Sequence, residues 1–180
     1  TAPSAFAVVN VQDGRVHVAS VASLTGVQAL TVASGARLQV DGAVVGTAGS
    51  DQWDVGGIVD GAGTAALGEG DDRLLLRDAA DTRGLLSALD GGAGFDTIEA
   101  QVDAGPLALG RTVNFEGLLK SGAGTLGVEH EASFASTIVD GGTLAIAAGT
   151  TLASRHTQLA AGTTLRIAGT FTGTTGDDTF

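Results

Sequence analysis

Asp96 sits within a run, Gly91-Gly92-Ala93-Gly94-Phe95-Asp96-Thr97-Ile98-Glu99, whose residue types suit the capture of a hard cation. Glycines let the backbone turn so that carbonyl oxygens face inward, the aspartate adds a carboxylate oxygen, and apolar Ile98 anchors the strand that follows. Two partial copies keep the second half of the run: Gly68-Glu69-Gly70-Asp71-Asp72-Arg73-Leu74 and Gly173-Thr174-Thr175-Gly176-Asp177-Asp178-Thr179-Phe180. Asp72, Asp96 and Asp178 are therefore the candidate Ca2+ ligands. A site shared between successive turns needs its aspartates close in space. Asp72 and Asp96 stand 24 positions apart, which allows stacking, whereas Asp178 lies 82 positions beyond Asp96. The same residues also build β-turns with no ion at all. The lack of tandem copies favours that turn-forming role, with calcium as the second reading.

Other chemistry is thinner. His17, His130 and His156 are too far apart for a ligand set and read as surface or turn residues. No Gly-x-Ser-x-Gly elbow is present. Asp71, Asp72, Arg73, Arg77, Asp78, Asp81 and Arg83 form the one dense charge cluster. It reads as a solvated loop or short helix rather than a polysaccharide-cleaving face. Trp53, between Asp51 and Asp54, reads as a core-edge plug rather than a sugar platform. Thr-x-Thr spacing is confined to one short stretch, Thr170, Thr172 and Thr174, too little for a flat threonine lattice.

The elements that must hold these residues are short strands. One frame recurs as Gly35-Ala36-Arg37-Leu38-Gln39-Val40, Gly141-Gly142-Thr143-Leu144-Ala145-Ile146 and Gly162-Thr163-Thr164-Leu165-Arg166-Ile167, with looser copies at 14–18 and 124–128. Each copy alternates apolar and polar residues, the period of a half-buried strand. The copies recur every 18 to 22 positions (Leu126 to Leu144, Val16 to Leu38). No copy can bury its apolar side alone, so the frame predicts stacking. The expected fold is all-β, a right-handed parallel β-helix of about 18–24 residues per rung, with 1–180 as a single solenoid segment. Leu38, Leu126, Leu144, Ile146, Leu165 and Ile167 should point inward. Roughly nine rungs at strand spacing give a body of about 40 Å. A β-sandwich is the alternative. Leucines clustered over 78–89 allow one short helix, interrupted by Gly84, and 61–70 reads as a turn-rich insertion.

Composition narrows the function classes. Glycine makes up 29 of 180 residues while aromatics are 4%, so the core must be thin and aliphatic. There is no cysteine, hence no disulfide framework and no thiolate metal site. A net charge of −11 repels phosphate backbones, so no nucleic-acid partner is expected. No apolar stretch reaches the roughly 18 residues of a membrane span, so this segment is not expected to insert in a bilayer. The first residues lack a basic start and an apolar core, and Phe180 stops in mid-motif. Both features read as an excised segment with open, self-associating ends.

Three stretches carry a family resemblance: Lys120-Ser121-Gly122-Ala123-Gly124-Thr125-Leu126, Ser136-Thr137-Ile138-Val139-Asp140-Gly141-Gly142-Thr143-Leu144 and Ala148-Gly149-Thr150-Thr151-Leu152. Val113-Asn114-Phe115-Glu116-Gly117-Leu118 leads into them. Together they resemble the passenger-associated repeat of bacterial autotransporters, and the match covers 113–167. It departs from the family at Gly127-Val128-Glu129-His130 and at 132–134. The glycine–aspartate run is similar to the nonapeptide of calcium-binding β-rolls. The resemblance implies a β-helix displayed outside the outer membrane of a Gram-negative cell. Such passengers include adhesins, proteases and esterases, so the resemblance implies no single activity. The expectation here is a rigid stalk or adhesin whose partner is a host or bacterial surface receptor or another passenger copy, and, with no catalytic signature in the sequence, no enzyme. The alternative is a β-helix hydrolase or lyase acting on polysaccharide.

Overall fold

The computed structural model describes residues 4–173. Among them every paired strand is parallel to its neighbour and there is no helix, and the chain coils through about 8 turns of a β-solenoid. The longest sheet has nine strands: Val8–Val11, Ala29–Val32, Gln52–Val55, Arg73–Arg77, Thr97–Gln101, Gly117–Ser121, Ala132–Val139, Thr151–Leu159 and Thr170–Gly173. A second face is a six-stranded sheet running from Ser4–Ala5 to Thr112–Val113. The third face is split into a three-stranded sheet in the N-terminal half and a four-stranded one in the C-terminal half.

Register sets the rung length. Trp53 pairs with Leu74, Leu74 with Ile98, Ile98 with Leu118 and Leu118 with Thr137. On the third face Leu126 pairs with Leu144 and Leu144 with Leu165. The shortest of these steps is 18 residues and the longest 24, the expected range. Strand alternation then sends one residue in two into a single aliphatic core. Leu38, Leu126, Leu144 and Ile146 are at most 1% exposed. Leu165 packs against the core, whereas Ile167 is 49% exposed, because the strand Thr164–Ile167 is the last of its sheet among the described residues. Removing the Leu144 side chain should lower unfolding free energy by about 2–5 kcal/mol, since the rigid rungs on both sides prevent collapse into the cavity. Chemical denaturation of Leu144→Ala checks this, and a loss under about 1 kcal/mol would mean the rungs close over the gap.

Two sequence readings are corrected. Residues 78–89 form no helix: they run through two turns, closed by the Ala80 N–H on the Arg77 carbonyl at 2.8 Å and the Leu85 N–H on the Thr82 carbonyl at 3.2 Å, and are pinned by single parallel bridges of Asp81 to Ile58 and Leu85 to Gly61. Leu85 and Leu89 enter the core while Leu86 stays 74% exposed. The segment 61–70 is not an insertion, because Thr64–Glu69 pairs with strands on both sides in the six-stranded sheet.

Candidate functional site

Asp72 and Asp96 do lie on adjacent rungs, at the corner where the six-stranded sheet turns into the nine-stranded one. The register that pairs Gln52 with Arg73, Arg73 with Thr97 and Thr97 with Gly117 stacks the preceding residues, Asp51, Asp72, Asp96 and Glu116, in one column. Each of the first three donates its backbone N–H to the carboxylate of the next rung. Asp51 N–H reaches Asp72 Oδ1 at 2.7 Å, Asp72 N–H reaches Asp96 Oδ1 at 2.8 Å, and Asp96 N–H reaches Glu116 Oε2 at 2.8 Å. Asp51 at the head of the column is held by the Thr47 N–H at 2.5 Å and the Thr47 hydroxyl at 2.6 Å. A corner breaks the sheet ladder and orphans its N–H groups, and these carboxylates satisfy them from one rung away.

The column is deeply buried: Asp51 is 3% exposed, Asp72 2% and Asp96 0%. Oδ2 of Asp72 and Oδ2 of Asp96 are buried with no hydrogen-bond partner. Burial is the main force on both groups, and neighbouring carboxylates add to it. The Asp72 carboxyl is pushed up to about 6, and Asp96 is raised above its ordinary value.

The glycines of the 91–99 run have a packing role. A Cβ on Gly91 would stand 2.0 Å from the Asn114 carbonyl oxygen, one on Gly92 1.8 Å from that of Gly68, and one on Gly94 2.0 Å from that of Gly70. Rung-on-rung contact at this corner leaves no volume for a side chain. Among the described residues no group of three or more Asp, Glu, His or Cys is arranged to hold a metal ion. Asp178 lies outside the described residues.

The other predicted residues separate along the body. His17 Nε2 lies 2.8 Å from Asp41 Oδ2 near the N-terminal end, and His130 lines a depression with Arg111, Glu129 and Glu131. Trp53 is a core residue, 1% exposed, whose Nε1–H donates to the Val27 carbonyl at 3.2 Å. The charge cluster is mostly a set of inter-rung ties, with Arg83 and Asp81 paired locally at 3.0 Å. Arg77 grips both carboxylate oxygens of Asp54 at 2.8 and 2.7 Å and donates to Gln101 at 3.2 Å, while Arg73 pairs with Glu99. Leu75 stands between those two arginines on the strand, outside the core cluster yet only 5% exposed. Asp71 and Asp78 cap the next rung, accepting from the N–H groups of Phe95 at 2.8 Å and Asp103 at 2.7 Å.

Asp51 and Glu116 escape a search for glycine–aspartate runs. The signal that finds them is an acid two positions before an inward residue of the long sheet: Asp51 before Trp53, Asp72 before Leu74, Asp96 before Ile98, Glu116 before Leu118. Lys120 is the other missed residue. It is the single lysine of the chain and is 0% exposed. Its Nζ donates to the carbonyls of Ser121 at 2.6 Å, Gly122 at 2.8 Å and Gly141 at 3.0 Å. Burial holds its pKa below the usual lysine value, and Asp103 and Asp78 oppose that shift. The Lys-Ser-Gly-x-Gly string is thus a turn whose carbonyls are capped by an ammonium from the same strand. No family model matches this chain, and neither does any curated protein or solved structure.

Proposed function

We propose that the chain is a stretch of a surface-displayed autotransporter passenger, working outside a Gram-negative outer membrane as a rigid stalk with an adhesive outer face. The observation that carries this reading is the use of its polar side chains. The aspartates, Lys120 and the paired arginines tie rung to rung, so they add stiffness along the axis. The outer face of the C-terminal half offers the Thr125, Thr143 and Thr164 row, one strand spacing apart, as hydrogen-bonding groups for a surface receptor or another passenger copy. Cells carrying the chain on an outer-membrane anchor should clump or adhere more than cells with the anchor alone. Equal settling and equal adhesion would overturn the adhesive role.

The polysaccharide-enzyme reading attaches to a depression of about 410 Å³ lined by Asp54, Arg77, Asp78, Gln101 and Asp103. Arg77 is already bound there on both sides, which leaves it poorly placed to meet a substrate carboxylate. Release of sugar fragments from an acidic polysaccharide by the purified chain would replace the stalk reading with the enzymatic one.

A further inference from the structure

The corner column carries a consequence for how the solenoid responds to acid. Three carboxylates, each at most 3% exposed, stack above Glu116, and each of the inner two has one oxygen with no partner. A fully ionised column places like charges on successive rungs, about 4.8 Å apart by strand spacing, in a water-poor corner. Each carboxylate of Asp72 and Asp96 accepts one backbone N–H, too little to offset the lost hydration of a full charge.

The groups that face the column are all acidic. Asp72 meets Asp51 from the preceding rung, Asp71 from its own and Asp96 from the following one. Asp96 meets Glu116, Asp71 and Asp90. The nearest cation in sequence, Arg73, is paired with Glu99.

We propose that this column is a proton-binding site centred on the free oxygen of Asp72, so that mild acid loads it and tightens the central rungs while neutral pH unloads it. The backbone bonds to Oδ1 survive protonation of Oδ2, so the staple holds in both states and only the repulsion changes. The sign follows from linkage. The folded chain holds this proton up to about pH 6, whereas an unfolded aspartate releases it near 3.8. The stabilisation is therefore complete below 3.8 and is lost as pH rises through 6. Asp41 and Asp81, both held below their ordinary values, oppose it only at lower pH.

Two measurements test the proposal. In carbon-13-labelled wild-type protein with chelator present, the Asp72 carboxyl resonance should titrate with a midpoint near 6, well above exposed aspartates. A midpoint at or below about 4 overturns the proposal. Melting curves with chelator should show wild type gaining roughly 2–5 °C between pH 7.5 and pH 5.0. Asp72→Asn, a permanent mimic of the protonated acid, should lose most of that gain and melt no lower than wild type at pH 7.5. An equal gain in both proteins would assign the effect to general charge relief and overturn the proposal. If instead several millimolar calcium raises the wild-type melting temperature at pH 7.5 but not that of Asp72→Asn, the column takes a divalent cation and the proton reading falls. Should Asp72→Asn fail to fold, the wild-type titration decides alone.

Discussion

Lys120→Met is expected to lower unfolding free energy by about 3–5 kcal/mol, a drop of roughly 6–20 °C for a chain of this size. Methionine keeps most of the aliphatic stem and fills most of the volume, so the cavity contribution is small. What disappears is the ammonium that binds the Ser121, Gly122 and Gly141 carbonyls at 2.6–3.0 Å. Two of those oxygens belong to one turn and the third to the turn stacked on it, so a single charge closes two rungs. The Ser121 carbonyl keeps the Val102 N–H at 3.0 Å, so the loss falls on the half-buried Gly122 and Gly141 carbonyls, each costing about 1–3 kcal/mol when left without a donor, and water filling the corner recovers part of that sum. Removing a buried charge also has a benefit, because its desolvation cost goes with it. Three short charge-assisted bonds outweigh that benefit here, and thermal melting of the variant measures the balance. A second readout needs no variant. Lys120 carries the one side-chain amine in the chain, so amine-reactive labelling of the native protein should be slow there and accelerate only when these rungs open. Rapid native labelling, or a variant as stable as wild type, would mean the ammonium is not the keystone of this corner.

Lys120 also marks a limit of what could be read from the chain beforehand. Its string was visible as a repeat motif, but the burial of its charge depends on carbonyls of the neighbouring rung. Strands were legible wherever one frame repeated: the alternation around Leu38, Leu126 and Leu144 and the spacing between copies define both the inward face and the rung length. The same frame at Ile167 did not disclose that its strand is the last of its sheet among the described residues. Residues 78–89 misled because clustered leucines imitate a helical face, while Asp81 and Leu85 are fixed by bridges to Ile58 and Gly61, one rung away in space. In the corner column, Asp72 and Asp96 were legible as an adjacent pair through their glycines. Asp51 and Glu116 share their geometry without that signature, since stacking asks only for an acid before the strand.

Gly92→Ala should cost about 4 kcal/mol or more and is the substitution most able to prevent folding. Two penalties coincide at this residue. Its φ of +110° lies in a region that alanine rarely adopts, and its missing Cβ would stand 1.8 Å from the Gly68 carbonyl oxygen. That oxygen belongs to a paired strand of the adjacent rung, so it cannot withdraw without breaking the register of Gly68 with Gly92. Gly149 separates the two penalties. Its φ is +79°, yet nothing stands within 4 Å of a Cβ placed there. Gly149→Ala pays only the left-handed backbone cost, about 1–2 kcal/mol. The difference between the two variants, about 2 kcal/mol or more in chemical denaturation, is the share owed to rung-on-rung crowding. Equal losses would mean that backbone conformation alone explains the glycine. In that case the Gly91-Gly92-Ala93-Gly94 string would owe nothing to close stacking, and the corner would have room for the oxygen ligands of a cation. A large difference ties the string to the architecture: the corner is closed tightly enough to exclude a methyl group, with its aspartates used to hold one rung to the next.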